Sequence, residues 1–300
     1  MNLRSSLDLH LNSIFVAALN KLGHTQLVPR TPASLGLLGA YDGNVIGGSL
    51  LGIGMALAGS CPGTVLAQVG AGVRSGFFAL DGAVLGGIAY AGIRRFPGIV
   101  RFRAPEQRTN GEKSPNPITV HDILGISRTE AVAGFLAVAA VVIASTALLA
   151  PSSPYAKIYP ALGGLLVGLV QLFSILSRKA LIGSSSAFQE TGDAFWWLLG
   201  AASSDKSAQR SYKNILFAFG MVAGAFTISR LAPTLLTPVD LDVSPVLATA
   251  GGFLMILGSR IAGGCTSGHG ISGISALSIS SFVTIAVAFG VGAIVAPFVY

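Results

Sequence analysis

The sequence predicts an all-α integral membrane protein, and three observations lead to that fold class. The 300-residue chain is 52% hydrophobic and only 10% charged, with a mean hydropathy of +0.71, whereas soluble domains carry about 25% charged residues. Its 39 glycines lie inside apolar runs and have no collagen-like period, which suits close helix packing in a bilayer. The third observation is an internal repeat that contains both cysteines of the chain. We therefore expect a multi-pass protein, and the sequence leaves open which membrane it occupies.

The repeat pairs residues 47–64 with residues 251–268, and seven of eighteen aligned positions are identical. Cys61 and Cys265 occupy equivalent positions, each in a glycine-rich break directly after a long apolar stretch. Duplicated broken helices mark the binding site in many transporters built from inverted repeats. The sequence therefore predicts an internally duplicated helical bundle of the inverted-repeat type, in which re-entrant or broken helices meet at the centre.

The apolar segments divide the chain into two halves. Residues 1–93 are expected to form the first membrane repeat, 94–120 a polar basic connector and 121–300 the second membrane repeat. We expect six to seven full spans, because a span needs about 20 apolar residues, together with at least three interrupted segments. In chain order, the segments are 9–22, 45–59, 65–73, 77–93, 130–150, 155–176, 177–202 (interrupted at its serines and again at 190–193), 214–228, 246–258, 271–279 and 282–300.

The net charge of +7 and the pI near 9.7 do not indicate a nucleic-acid-binding protein. Much of this charge lies in one stretch, 94–113, which holds six basic and two acidic residues. A basic loop next to membrane spans is typical of a cytoplasmic loop under the positive-inside rule. Contact with anionic lipid headgroups is a second interpretation of the same loop.

Both cysteines are candidate substrate-pathway residues. A free cysteine is often simply a small buried apolar residue, but each of these precedes a short apolar segment that starts at a break. Helix N termini with free N–H groups attract anions, and a thiol in that field donates a hydrogen bond or ionises more easily. The neighbours assigned to the pathway on this argument are Gly63, Thr64, Gly264, Thr266, Ser267 and His269.

Other polar residues near the breaks have two interpretations each. The serine-rich stretch that contains Ser184 and Ser185 is either a plain connector or a third element of the pathway. Arg260 and Arg74 either attract an anion or extend their side chains to the membrane interface. The pattern predicts no cofactor and no metal, because one thiol per break lacks the ligands of a zinc or iron–sulfur centre.

The motifs GSCPGT at 59–64 and GSRIAGGCTSGHG at 258–270 resemble the YeeE/YedE family of sulfur-transport membrane proteins over most of the chain. The resemblance implies a duplicated, hourglass-shaped helical protein that takes up thiosulfate, with Cys61 and Cys265 passing the ion by S–H···S hydrogen bonds. The family's bacterial transporter has a further functional cysteine near its N terminus. No cysteine precedes Cys61 here, and the start of the chain is expected to be short by a helix pair.

Three functions of different classes follow. The first is a transporter for thiosulfate or a related small sulfur-containing anion. The second is a membrane sulfurtransferase that carries a persulfide on Cys61 or Cys265. The third is a structural membrane subunit in which both cysteines are dispensable. The expected partners are the sulfur anion and the lipid bilayer, with no nucleic acid, and a sulfur-handling protein is left open as a further partner.

Overall fold

The computed structural model describes residues 29–95, 118–149, 160–178, 182–200, 212–235 and 243–300. In these ranges the regular secondary structure is helical, and an isolated antiparallel bridge joins Thr119 to Ser278. The α-helices are α1 Asp42–Ala58, α2 Pro62–Gly70, α3 Arg74–Arg95, α4 Val120–Leu124, α5 Arg128–Leu149, α6 Pro160–Arg178, α7 Ser185–Leu198, α8 Lys213–Leu231, α9 Pro245–Ile261 and α10 Ile279–Val295. A π-helical segment, Ser267–Gly273, lies between α9 and α10, and short 3₁₀ turns occupy Pro233–Leu235 and Ala296–Phe298.

Five stretches of the described residues are long and apolar enough to cross a bilayer, which confirms the multi-pass membrane class. They are Asp42–Gly70, Arg74–Arg95, Arg128–Thr146, Lys213–Leu231 and Ile279–Phe298, and the first includes the break before Cys61. The shorter apolar helices are Leu162–Ser177 and Pro245–Ile261. The predicted segment 9–22 and most of the connector 94–120 lie outside the described residues.

One predicted interruption is wrong. The polar residues at 190–193 do not break the chain, because α7 continues through them to Leu198. The Glu190 carboxylate accepts hydrogen bonds from the Asn214 side chain (2.6 Å) and from the backbone N–H of Ile215 (3.1 Å), at the start of α8. A carboxylate satisfied by the N terminus of a neighbouring helix is compatible with a continuous helix of its own.

The described residues fall into two compact units. The first, called the cysteine unit below, contains the described residues within Pro32–Pro105, Gly183–Ser267 and Val283–Tyr300, and the second contains those within Met1–Thr31, Glu106–Ile182 and Gly268–Phe282. In the second unit, a backbone bond from Val120 to the Leu277 carbonyl (3.0 Å) and one from Ile279 to the Ile118 carbonyl (3.1 Å) tie the start of α4 to the start of α10. The cysteine unit holds both thiols, and its packing positions the candidate site.

Helices α1 and α9 pack through glycines. The Cβ that an alanine would carry at Gly47 meets backbone of Gly258 and Ala262, and the one at Gly54 meets backbone of Gly251 and Met255. As the residue number increases along α1, the number of the contacted residue on α9 decreases, so the two helices run antiparallel. Because a side chain at these glycines would meet backbone, the close approach of α1 and α9 requires them.

The packing of α1 on α10 resembles the packing of α9 on α3. A Cβ at Gly48 would contact the Thr284 carbonyl and the Val287 side chain of α10. A Cβ at Gly252, the repeat equivalent of Gly48, would contact backbone of Ala79 and Ala83 on α3. The core between these helices is apolar and fully buried, with Leu51, Met255 and Ile256 each 0% exposed.

Candidate functional site

Cys61 lies at the start of α2, immediately after the chain leaves α1. Gly59 ends α1 in the left-handed conformation with φ +61, which glycine adopts without steric cost. The backbone N–H of Thr64 then approaches the Cys61 sulfur at 3.5 Å, while the Cys61 N–H donates to the Thr64 hydroxyl at 2.6 Å. This is a reciprocal capping box with a thiol in place of the usual hydroxyl. The predicted pathway residue Thr64 thus has its hydroxyl committed to the cap.

Cys265 lies at the equivalent break after α9. Gly263, the repeat equivalent of Gly59, is also left-handed with φ +83, and the Gly264 N–H donates to the Ser259 carbonyl at 2.8 Å. These two glycines end the helix and place Cys265 in the interior, 0% exposed. Its sulfur lies 3.1 Å from the Ser267 hydroxyl.

A buried asparagine holds the end of α9 in place. Asn44, which is 0% exposed on α1, donates to the Ala262 carbonyl at 3.2 Å and to the Thr284 hydroxyl at 2.9 Å. Its own side-chain oxygen accepts from the Ala33 N–H at 2.8 Å. Because buried amides are costly when unpaired, this set of bonds fixes the turn that precedes Cys265. In the sequence, Asn44 is only a lone polar residue at the start of an apolar run.

Ser184 brings a hydroxyl to the Cys265 thiol. It precedes α7 at the N-cap position, but its side chain makes no hydrogen bond to that helix. Instead, its Oγ lies 3.6 Å from the Cys265 sulfur and 3.5 Å from the Ser267 hydroxyl, and the residue is only 2% exposed. Ser185, also 2% exposed, begins the helix. The serine-rich break and the second cysteine break therefore meet in the cysteine unit.

Gly63 connects the first cysteine to this cluster. A Cβ at Gly63 would lie 4.0 Å from the Cys61 sulfur, 3.5 Å from Ser184 Oγ and 3.7 Å from the methyl carbon of Met221 on α8. The space that a side chain at Gly63 would enter is thus bordered by both the Cys61 sulfur and Ser184 Oγ, and Ser184 Oγ in turn lies 3.6 Å from the Cys265 sulfur. Sequence reasoning missed Met221, because a methionine in an apolar span carries no signal of its own. Both cysteines are free thiols.

The electrostatic character of this cluster comes from helix N termini. Helix α2 has Pro62 at its first position, and neither α2 nor α7 has an acidic residue in its first turn. The N-terminal N–H groups and the helix dipole make such positions favourable for negative charge. Two helix N termini that have no acidic residue in their first turn, beside two thiols, therefore favour an anion over a cation. Among the described residues, no group of three or more His, Cys, Asp and Glu side chains is placed to hold a metal ion.

The remaining predicted pathway residues are divided between the two units. Gly264, Thr266 and Ser267 flank Cys265 in the cysteine unit, and Thr266 and Ser267 are half-buried. His269 belongs to the second unit, is 1% exposed, and has Nδ1 2.9 Å from the Ser281 hydroxyl. It lies in the π-helical segment, a rare geometry that often marks functional sites.

Similarity to known proteins agrees with this architecture. The family model described as "Sulphur transport" matches residues 7–295. Two relatives, each named "Probable transporter", come from Xylella fastidiosa strains 9a5c and Temecula1. Each is 30% identical to this chain over 129 residues, which cover 43% of this chain and 84% of the relative. A match over nearly its whole length means that this multi-pass membrane protein belongs to the sulphur transport family.

Proposed function

We propose that the protein transports thiosulfate, or a closely related small sulfur-containing anion, along an interior pathway on which Cys61 and Cys265 contact the ion in turn. The observation that carries the proposal is the short link from the Cys61 sulfur through the Gly63 position and Ser184 to the Cys265 sulfur. Two thiols, one at the start of α2 and one beside the N-cap of α7, suit an ion that is both negatively charged and soft at one atom.

The chemistry of thiosulfate fits this arrangement. Its two negative charges favour the N termini of α2 and α7, and its terminal sulfur is a polarisable acceptor for an S–H donor. The Ser184 and Ser267 hydroxyls beside Cys265 supply hydrogen bonds to the oxygen atoms. Transport requires several sites of moderate strength rather than one tight site, and two thiols in sequence provide that.

Reciprocal packing supports an inverted repeat around this pathway. Gly47 meets Gly258 and Gly54 meets Gly251, and the repeat relates Gly47 to Gly251 and Gly54 to Gly258. Contacts exchanged in this way are those of a two-fold interface. Because α1 and α9 are antiparallel, the two-fold rotation axis that relates them is perpendicular to the helices. We infer one repeat in residues 1–93, another in 121–300, and the connector 94–120 between them. In inverted-repeat transporters the substrate site lies at the repeat interface.

Uptake into proteoliposomes tests the proposal directly. Purified protein should transport labelled thiosulfate, and unlabelled thiosulfate should compete better than sulfate or sulfite. A variant with both cysteines replaced by Ser is the matched control, because it keeps the size and the hydroxyl donors of the site. Protein-dependent uptake that is equal in the wild type and in the double variant would rule out the thiol pathway.

The sulfurtransferase alternative has a separate test. A persulfide enzyme needs a thiolate with a nearby base, and the candidate base, His269, has Nδ1 2.9 Å from the Ser281 hydroxyl in the second unit. Intact-protein mass spectrometry after incubation with thiosulfate would show an added sulfur atom on either cysteine if a persulfide forms. The transport proposal expects unmodified thiols. A stoichiometric sulfur adduct would favour the enzyme and a sulfur-accepting protein partner.

A further inference from the structure

A second positively charged feature lies at the end of α9, close to the thiol cluster. Arg260 is in the last turn of α9, five residues before Cys265. Its guanidinium carbon lies 5.6 Å from the centre of the Tyr90 ring on α3, and Tyr90 is only 3% exposed. Helices α3 and α9 run in the same direction here, because Gly82 meets Thr249 and Gly86 meets Phe253. The Arg260 side chain therefore packs against the neighbouring helix α3 and does not extend beyond the end of α9.

Among the described residues, no carboxylate oxygen lies within ion-pair distance of the Arg260 guanidinium. The Arg260 Nε atom is buried and makes no hydrogen bond. Arg94 and Asp193 lie within electrostatic range of Arg260 and act on its charge in opposite directions. Arg260 as a whole is half-buried, but a buried donor without an acceptor is costly, so the site has capacity for an anion.

Cys265 is also among the groups within electrostatic range of Arg260. An arginine stays charged and presents a planar fork of N–H donors that matches the oxygen atoms of an oxyanion. The Tyr90 ring orients that fork through a cation–π contact. Arg260 and Cys265 thus offer different chemistry. The guanidinium supplies a fixed charge for oxyanions, and the thiol supplies a soft contact for a terminal sulfur.

We infer that Arg260, oriented by Tyr90, forms an oxyanion-binding site next to Cys265 that recognises the charge and the oxygen atoms of the substrate. The inference rests on the proposed function for its substrate, but it makes a different claim. Arg260 binds thiosulfate and sulfate alike, because both carry two charges and sulfur-bound oxygen atoms. Discrimination between the two ions belongs to Cys265.

Equilibrium binding to the detergent-purified protein separates these roles without requiring transport. Labelled sulfate and labelled thiosulfate are each titrated against the wild type, Arg260→Gln and Cys265→Ser. In Arg260→Gln, the Kd values of both ions should rise about tenfold, with their ratio unchanged within about twofold, and tenfold corresponds to about 1.4 kcal/mol. In Cys265→Ser, the thiosulfate Kd alone should rise.

Arg230→Gln is the matched control. Arg230 is also in the last turn of a helix, α8, with its guanidinium carbon 5.2 Å from the Phe226 ring, but that ring is 51% exposed. The two arginines share the C-terminal dipole position and the aromatic contact, but Arg260 precedes Cys265 by five residues and lies within electrostatic range of it. Arg230→Gln should bind both ions as the wild type does.

If Arg260→Gln fails to fold, Arg260→Lys is tested instead, because it keeps the charge and loses the planar guanidinium fork. The Kd values of sulfate and thiosulfate should then rise about threefold or more. Unchanged affinity for both ions in a folded Arg260 variant would overturn the inference. So would equal weakening by Arg230→Gln. If the wild type binds sulfate through Arg260 but transports no thiosulfate, the proposed function fails and the oxyanion site stands.

Discussion

At the scale of single residues, Ser184 differs from an ordinary capping serine. N-cap serines usually accept a hydrogen bond from their own helix and stabilise it by about 1 kcal/mol. Ser244 does this for α9, accepting from the Leu247 N–H at 3.3 Å. Ser184 does not cap α7, and its hydroxyl lies next to the Cys265 sulfur instead. The Ser184 hydroxyl does not bond to its own helix and is buried beside a thiol, so it is a candidate substrate contact.

Replacing Ser184 with Ala should therefore affect transport and leave stability almost unchanged. We expect thiosulfate uptake to fall several-fold, because a hydrogen-bond donor next to Cys265 is lost, while the unfolding temperature in detergent shifts little. Ser244→Ala is the control, and it should lower stability by about 1 kcal/mol. Comparable destabilisation by both changes would mean that Ser184 has a structural role only.

Replacing Cys265 with Ser should reduce thiosulfate transport more than it reduces stability. Serine is nearly as large as cysteine and keeps a donor, so the fully buried position stays filled while the soft sulfur contact disappears. The measurement is the initial rate of labelled thiosulfate uptake, normalised to folded protein by size-exclusion chromatography. A wild-type rate in this variant would identify Cys265 as a packing residue.

At the scale of secondary-structure elements, glycine-mediated packing of α1 on α9 sets the positions of both cysteine breaks. Each helix ends in a left-handed glycine, Gly59 or Gly263, two residues before its cysteine. The distance between the breaks therefore depends on how closely the two helices approach. The contact is built on backbone atoms, so it tolerates no added side chain at its closest points.

Gly54→Ala should destabilise the protein and also impair transport. The added methyl group would lie 2.6 Å from the Gly251 carbonyl and within 2.7 Å of the Met255 backbone, and overpacking of this kind typically costs about 1–3 kcal/mol. Gly220→Ala on α8 is the control, because nothing lies within 4 Å of a Cβ there. That change should be neutral or slightly stabilising. Thermal unfolding of the two variants in the same detergent compares them.

At the scale of the whole molecule, the distribution of basic residues predicts orientation. The stretch 94–113 holds six basic and two acidic residues, and an excess of Lys and Arg in short loops marks the cytoplasmic side. Single cysteines introduced at positions in this stretch, in a background with Cys61 and Cys265 replaced, should react with a membrane-impermeant thiol reagent only from the cytoplasmic face. Labelling from the opposite face alone would reverse the proposed orientation.

Selectivity is a further property of the molecule as a whole. Thiosulfate and sulfate carry the same charge and have similar shapes, so helix dipoles, the hydroxyls and Arg260 serve both ions. The terminal sulfur is the atom that differs, and Cys61 and Cys265 are the soft donors at the breaks. We expect thiosulfate to compete for transport about tenfold better than sulfate, equivalent to about 1.4 kcal/mol. Replacing both cysteines with Ser should abolish thiosulfate transport without improving sulfate transport. If sulfate and thiosulfate compete equally well for transport by the wild type, the thiols do not recognise the substrate.

The sequence by itself determined the membrane class, the helical segments and the equivalence of Cys61 and Cys265. Hydropathy and motif repetition are local properties, and a bilayer leaves few ways to satisfy the backbone of an apolar chain. It also identified Ser184 as a candidate, without assigning its partner.

Only the tertiary structure decided that the Ser184 hydroxyl meets a thiol 81 positions away and that Arg260 stacks on Tyr90. The same holds for Glu190, which binds the start of α8 instead of interrupting α7. These contacts depend on how helices distant in sequence pack against one another. That packing follows from close backbone approach at glycines, which no local pattern of hydrophobic residues encodes.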